Sequence, residues 1–258
     1  MGIVVSVHSF RGGTGKSNVT ANLAATVARQ GKRVGVVDTD IQSPGIHVLF
    51  GLKQQLNRSL NDYLWGKCAI EEAAYDVSDI VRNGKPADGA VPGLFLIPSS
   101  LNAGEIALVL REGFNVGLLN DGFRSLVEGL KLDYLFIDTH HGVNEETLLS
   151  IALSDILLVI LRPDNQDYQG TAVTVELARK LEVPRMLLLV NKVPDGTNLG
   201  ALREKVESIY QTPVAGIFPL NLEIVRVASS EIFCLRYPNH PFTQEIERVA
   251  ARLLQGGD

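Results

Sequence analysis

Cysteine is nearly missing from this sequence: Cys68 and Cys234 are the only two, with no Cys-x-x-Cys pair and no cluster of histidines beside either. That spacing excludes a disulfide framework, and two unpaired, buried thiols in a reducing cytosol are expected. Long apolar runs are lacking too. The longest stretches, such as Ile156-Leu-Leu-Val-Ile-Leu161, are of strand length, against the roughly 20 residues that span a bilayer. The chain opens on a strand-like segment, without a charged region leading into a long apolar run. No signal peptide is therefore expected, and the expected compartment is the cytoplasm. Nor is there an excess of basic charge. A net charge of −5 makes no bulk demand for nucleic acid or an anionic membrane, although a local basic patch stays open. Internal repeats and low-complexity tracts are absent.

The remaining composition is that of an ordinary folded protein. Hydrophobic residues make up 45% and charged residues 21% of 258 positions, enough for one large α/β unit with a sizeable core, and a single domain over 1–258 is expected. Apolar, β-branched runs at 3–7, 33–37, 134–137, 156–161 and 186–190, and a shorter one at 214–218, lack period-two alternation. Strands buried on both faces of a parallel sheet have this pattern. Helical stretches at 17–30, 117–131, 170–181 and 199–210 fall between them. The fold class is thus α/β, a mostly parallel central sheet with helices on both faces.

The segment 44–103 interrupts this alternation. It offers a short helix at 59–65, a turn-rich stretch Asn83-Gly-Lys-Pro-Ala-Asp-Gly-Ala-Val-Pro-Gly93 that reads as a surface excursion, and a further strand at 94–98. Phe242, Ile246, Val249 and Leu253 recur at helical spacing over 241–254. With its glutamates and only two arginines, that helix reads as core-packed in preference to membrane-binding.

The chemistry begins after the first strand, at Phe10-Arg-Gly-Gly-Thr-Gly-Lys-Ser17. Glycines let backbone N–H groups turn inward on a phosphate, and the helix that follows adds its positive end. The full phosphate-loop pattern G-x-x-x-x-G-K-[ST] asks for a glycine where Phe10 stands, so the box is broken at its first position. Lys16 would reach the β- and γ-phosphates and Ser17 would ligate Mg²⁺. Asp38 and Asp40 end the second strand in Val36-Val-Asp-Thr-Asp40, and Asp138 ends another in Phe136-Ile-Asp-Thr139. Ligands of open α/β sheets bind at the carboxyl ends of strands, where all three motifs converge.

Together these residues resemble the ParA/MinD family of ATPases. Residues 10–17 are similar to its deviant Walker A box, Val37-Asp-Thr-Asp-Ile-Gln42 to its Walker A′ box and Tyr134-Leu-Phe-Ile-Asp-Thr139 to its Walker B. Leu188-Leu-Val-Asn-Lys192 resembles the strand whose Asn recognises adenine. The resemblance implies a cytoplasmic P-loop ATPase that binds ATP and Mg²⁺, pairs face to face around two nucleotides, and separates after slow, partner-stimulated hydrolysis. It implies that Gly12, Gly13, Thr14, Gly15, Lys16 and Ser17 hold the phosphates, that Asp40 positions the attacking water, and that Ser17, Asp38 and Asp138 form the magnesium shell. Gly142 becomes the switch glycine. Asn191 reads adenine, with the loop Phe218-Pro-Leu-Asn221, and so Pro219, closing over the base. Asp164 stands where relatives often carry a carboxylate facing the partner's ribose.

Two features depart from the family. Arg11 replaces a lysine that crosses the dimer, and its bidentate fork could make the same crossing or could pack at the rim. His140 and His141 precede the switch glycine where relatives carry small residues or proline. Neighbours in a loop rarely chelate together and no third ligand is evident from the sequence, so a switch-loop role is favoured over metal. The implied function is positioning or partitioning of a cellular cargo through an ATP-dependent homodimer and an activator or adaptor protein. A nucleotide-controlled regulator of a partner, with no surface involved, is the alternative. A metabolic enzyme coupling ATP to a small substrate is a third class, less favoured because no extra lid or amidase domain is evident. Nonspecific DNA, and with it a nucleoid location, would need a basic strip. Arg179, Lys180, Arg185, Arg203, Lys205, Arg226, Arg248 and Arg252 are its candidates. A membrane is less favoured, because Gln255-Gly-Gly-Asp258 adds no basic amphipathic segment.

Overall fold

The computed structural model describes residues 2–52, 56–82, 93–227 and 229–255. Most of the turn-rich stretch 83–93 lies outside them. Eight strands form one sheet: β1 (Ile3–His8), β2 (Arg33–Asp38), β3 (Tyr75–Asp76), β4 (Gly93–Ile97), β5 (Tyr134–Asp138), β6 (Ile156–Leu161), β7 (Arg185–Val193) and β8 (Val214–Pro219). Their order is β3-β4-β2-β5-β1-β6-β7-β8. All neighbours are parallel except the two-residue edge strand β3, which runs antiparallel to β4.

Alternate residues of each strand feed opposite faces, and both faces are apolar. Val5, Val7, Val34, Val36 and Phe136 pack under the helices Lys16–Arg29 and Pro241–Leu254 through Leu23, Val27, Ile246 and Val249. Their neighbours Val37, Leu135 and Ile137 meet Leu119, Phe123 and Leu126 of the helix Gly117–Gly129. Leu157, Val159 and Leu161 meet Val175 and Ala178 of Asn165–Lys180 and Val206 of Leu199–Tyr210. Coverage on both sides is why the strands read as unbroken apolar runs.

The elements expected from the sequence are present, with informative differences. The helix expected from 170 begins at Asn165, because Asp164 accepts from the N–H groups of Gln166 (3.1 Å) and Asp167 (3.0 Å) and caps it. Strand β7 runs to Val193 because irregular register against β8 carries the pairing past Val190. The helices Ala103–Glu112, Glu145–Ala152 and Leu222–Val227 lie in segments where no helix was expected. Cys234 is buried, and burial pushes its thiol up to about 12; Cys68 is only half-buried, against the expectation of two buried thiols.

Register sets the carboxylates. In the parallel β2–β5 pair Asp38 lies opposite Asp138, and in β1–β5 Asp138 lies opposite Val7, just before the glycine loop.

Candidate functional site

The loop between β1 and its helix turns on Gly13 (φ 74°) and Gly15 (φ 91°), left-handed conformations that side chains resist. Gly15 also carries a steric demand, since a Cβ there would stand 2.6 Å from Asn191 Nδ2. Phe10, at the position of the missing glycine, packs its ring on Gly170 of the facing helix. A Cβ at Gly170 would lie 2.1 Å from Phe10 Cδ1. The helix Lys16–Arg29 starts without a side-chain cap, which leaves its first N–H groups free for an anion.

Beneath the loop is a compact set of buried charges. Lys16 Nζ lies 3.5 Å from Asp138 Oδ1, which also accepts from Thr20 Oγ1 at 3.2 Å. Asp38 is fully buried and accepts from the backbone N–H of Asp40 (3.0 Å) and Gly45 (3.3 Å). Burial, then the charges of Asp138 and Asp40, holds its carboxyl well above the usual range. Burial raises Asp138 as well, against the pull of Lys16 and hydrogen bonds from Ser17 and Thr20. Asp138 Oδ2 and Thr14 Oγ1 are buried without a hydrogen-bond partner. Unpartnered buried oxygens beside like-charged carboxylates suit a divalent cation, and an uncapped helix start above a buried lysine suits a phosphate. The residues therefore fit a magnesium nucleotide: Lys16 would face the phosphates, and Ser17, Asp38 and Asp138 would hold the cation.

Asp40 is anchored differently. Its Oδ1 accepts from Ser43 N (3.1 Å) and Ser43 Oγ (2.8 Å) and faces His140 Nδ1 at 2.6 Å. The His140 and His141 rings lie 4.1 Å apart, and a Cβ on Gly12 would meet the His141 ring at 3.5 Å. Behind them His8, fully buried, bonds Thr139 Oγ1 at 2.8 Å. Burial, reinforced by Lys16, pushes this imidazole down to about 3 and keeps it neutral.

A cavity of 640 Å³ opens on the glycine loop; Gly12, Gly13, Thr14, Gly15, Lys16, Ser17, Asp40, Asn191 and Pro219 all line it. Its far end is apolar, with Leu220, Ile224, Val225 and Phe242. Asn191 Nδ2 donates to Thr14 O at 2.8 Å, so the side chain braces the loop. Lys192 was not singled out from the sequence, yet its Nζ donates to Gly13 O at 2.7 Å. Strand alternation would send it away from Asn191, and only its left-handed backbone (φ 57°) brings it round.

Asp38 and Asp138, buried beneath the loop, lie outside the cavity lining, as do Arg11 and Asp164. Arg11 turns back within its own chain, 3.7 Å from Asp164 Oδ1 and 3.6 Å from Asp167 Oδ1. Asp164 serves as the helix cap and pairs with both Arg11 and Arg162. Asp167, also unforeseen, receives a bidentate fork from Arg162 at 2.9 and 3.1 Å. Burial alone would raise its carboxyl, but Arg162 and Arg11 hold it low.

Most candidates for a basic strip are engaged internally. Arg179 donates to Tyr210 O and Gln211 O, Arg185 to Arg252 O and Gln255 O, and Arg203 and Arg252 to Val214 O. Lys180 and Arg248 pair with Glu176 and Glu245, and Lys205 sits over the Tyr168 ring. Among the described residues no helix is long and apolar enough to cross a membrane.

Comparison with known proteins agrees with this architecture. Residues 5–232 match the model of the CobQ/CobB/MinD/ParA nucleotide binding domain. The chain is 28% identical over 256 residues to an uncharacterised ATP-binding protein of Methanocaldococcus jannaschii, covering 98% of this chain and 88% of that one. It is 26% identical over 230 residues to the septum site-determining protein MinD of Synechocystis, covering 87% and 79%. The structure of Pyrococcus horikoshii MinD with Mg-ADP superposes with a TM-score of 0.77 over 99% of this chain and 97% of that one, at 20% identity.

Proposed function

The chain belongs to the CobQ/CobB/MinD/ParA family of nucleotide-binding domains, and from that premise we propose that it is an ATP-driven dimerisation switch that positions or partitions a cellular cargo. The single observation that carries this reading is a cavity lined by the left-handed glycine loop and Lys16, with Lys16 reaching the buried Asp38–Asp138 pair and its unpartnered oxygen beneath the loop. In this reading residues 1–258 act as one ATPase domain in the cytoplasm. Gly12 to Ser17 bind the phosphates. Ser17, Asp38 and Asp138 hold Mg²⁺, which screens phosphate charge when bound; the relative solved with Mg-ADP supports that cofactor. Asp40 orients the attacking water, Asn191 and Pro219 contact the base, and Gly142, with φ 79°, lets the loop respond to the γ-phosphate. Arg11 leaves Asp164 and Asp167 to reach the nucleotide of a second copy, and an activator or adaptor protein speeds hydrolysis. The septum-site relative supports the positioning role.

A second reading, a nucleotide-controlled regulator that needs no surface, is favoured by the internal engagement of Arg179, Arg185, Arg203 and Arg252. Sedimentation with ATP, with ADP and without nucleotide, using the parent and Asp40→Ala, tests the switch. A dimer in ATP alone is expected, persisting in the variant; no ATP-dependent dimer in either protein sinks the proposal. Salt-titrated nonspecific DNA and liposomes then separate the surfaces from the soluble regulator.

A further inference from the structure

Asp40, His140 and His141 each offer a ligand atom, and those atoms lie within 4.8 Å of one another. Consecutive residues of an extended segment point apart, but the turn after β5 brings both rings to one side, their centroids 4.1 Å apart. Asp40, from the loop after β2, supplies the third ligand that the sequence did not reveal. We propose that these three residues form a binding site for a divalent transition-metal ion of the zinc class, distinct in chemistry from the all-oxygen set of Ser17, Asp38 and Asp138 proposed for magnesium.

The donor set argues for that class. Two imidazole nitrogens and one carboxylate oxygen suit Zn²⁺, Ni²⁺ or Co²⁺, whereas Mg²⁺ prefers oxygen and retains its water. In a tetrahedral site with bonds of about 2.0–2.1 Å the donors stand roughly 3.3 Å apart, within reach of modest side-chain rotation here. The inner donor is fixed, since Ser43 grips Asp40 through N–H and Oγ, the supporting contact that metal-bound carboxylates use. Accessibility rises outward from buried Asp40 through half-buried His140 to exposed His141, which gives the ion an entry path. Three protein donors leave at least one position open. Asp40 and His141 both line the cavity, so that position faces the ligand space.

A consequence rests on the ATPase reading above. An ion held by Asp40 takes the carboxylate assigned to the attacking water, so it slows hydrolysis while the glycine loop still binds nucleotide. The ion is then an inhibitor of turnover, and its release restarts the cycle.

Binding is measured first on nucleotide-free protein, by equilibrium dialysis with Zn²⁺ and by the visible absorption of added Co²⁺. One ion per chain is expected, with His140→Ala and His141→Ala each weakening affinity at least tenfold and removing the Co²⁺ bands. No stoichiometric ion, or equal binding by parent and both variants, overturns the site. Melting curves establish that the variants fold, and His141→Gln substitutes if His141→Ala does not. Hydrolysis of Mg·ATP is then followed with and without Zn²⁺. The parent should slow at least tenfold and His141→Ala should respond far less. Histidine-dependent ion binding with unchanged parental turnover overturns the inhibitory role. Histidine-dependent binding in a protein with no turnover under any condition leaves the site standing and removes the ATPase reading instead.

Discussion

His140 Nδ1 lies 2.6 Å from Asp40 Oδ1, so the carboxylate facing the phosphate end of the cavity is oriented from β5 as well as by Ser43. A charge-assisted bond of this kind contributes roughly 1.5–3 kcal/mol. His140→Ala should therefore lower kcat for ATP about 10- to 100-fold with little change in nucleotide affinity, and Asp40→Asn should lower it about 10²- to 10⁴-fold. Single-turnover hydrolysis beside a nucleotide-binding titration reads both. Equal losses of affinity and rate would assign His140 to folding alone.

Arg11 is held within its own chain by carboxylates at 3.6–3.7 Å, and its side chain is 40% exposed. The exposed Arg11–Asp164 pair contributes at most about 1 kcal/mol, and buried Asp167 keeps its Arg162 partner when Arg11 leaves, so a modest gain elsewhere can release it. Arg11→Ala should leave monomeric ATP binding and melting near the parent's while reducing ATP-dependent dimer in sedimentation. Asp164→Asn keeps the helix cap and weakens the hold on Arg11, so it should shift dimerisation to lower protein concentration.

Stability should fall in acid through His8. The unfolded imidazole takes up a proton below about 6.5, whereas the folded one stays neutral down to about 3. The contribution is complete above 6.5 and declines as pH falls toward 3, by about 1.4 kcal/mol per pH unit. Between pH 7.5 and pH 5, urea unfolding should show the difference between parent and His8→Gln moving about 2 kcal/mol in the variant's favour. A constant difference would mean that His8 is not the group responsible.

Phe10 and Gly170 should behave as one unit. Gly170→Ala drives a methyl into the Phe10 ring and should destabilise by about 1–3 kcal/mol, with a matching loss of nucleotide affinity as the loop shifts. In the double variant Phe10→Ala/Gly170→Ala the two losses should fall well short of additive. Additive losses in thermal unfolding would show that the ring does not hold the loop.

Residue order alone was enough for whatever depends on chain-local chemistry. The apolar runs marked the parallel strands, because a strand covered on both faces must be apolar throughout, although they gave no sign of the edge strand β3, and Gly13 and Gly15 marked the left-handed loop. Asp38 and Asp138 were legible as strand-end carboxylates for the same reason. Tertiary structure alone decided who faces whom across elements. Parallel register put Asp38 opposite Asp138, the turn after β5 brought His140 and His141 to Asp40, and a left-handed Lys192 reached Gly13 O. Asp164 and Asp167 captured Arg11, because the helix they open lies beside the loop. Such pairings join residues as many as 179 positions apart. No local pattern encodes them, since each depends on how separate elements dock and not on the preferences of either element alone.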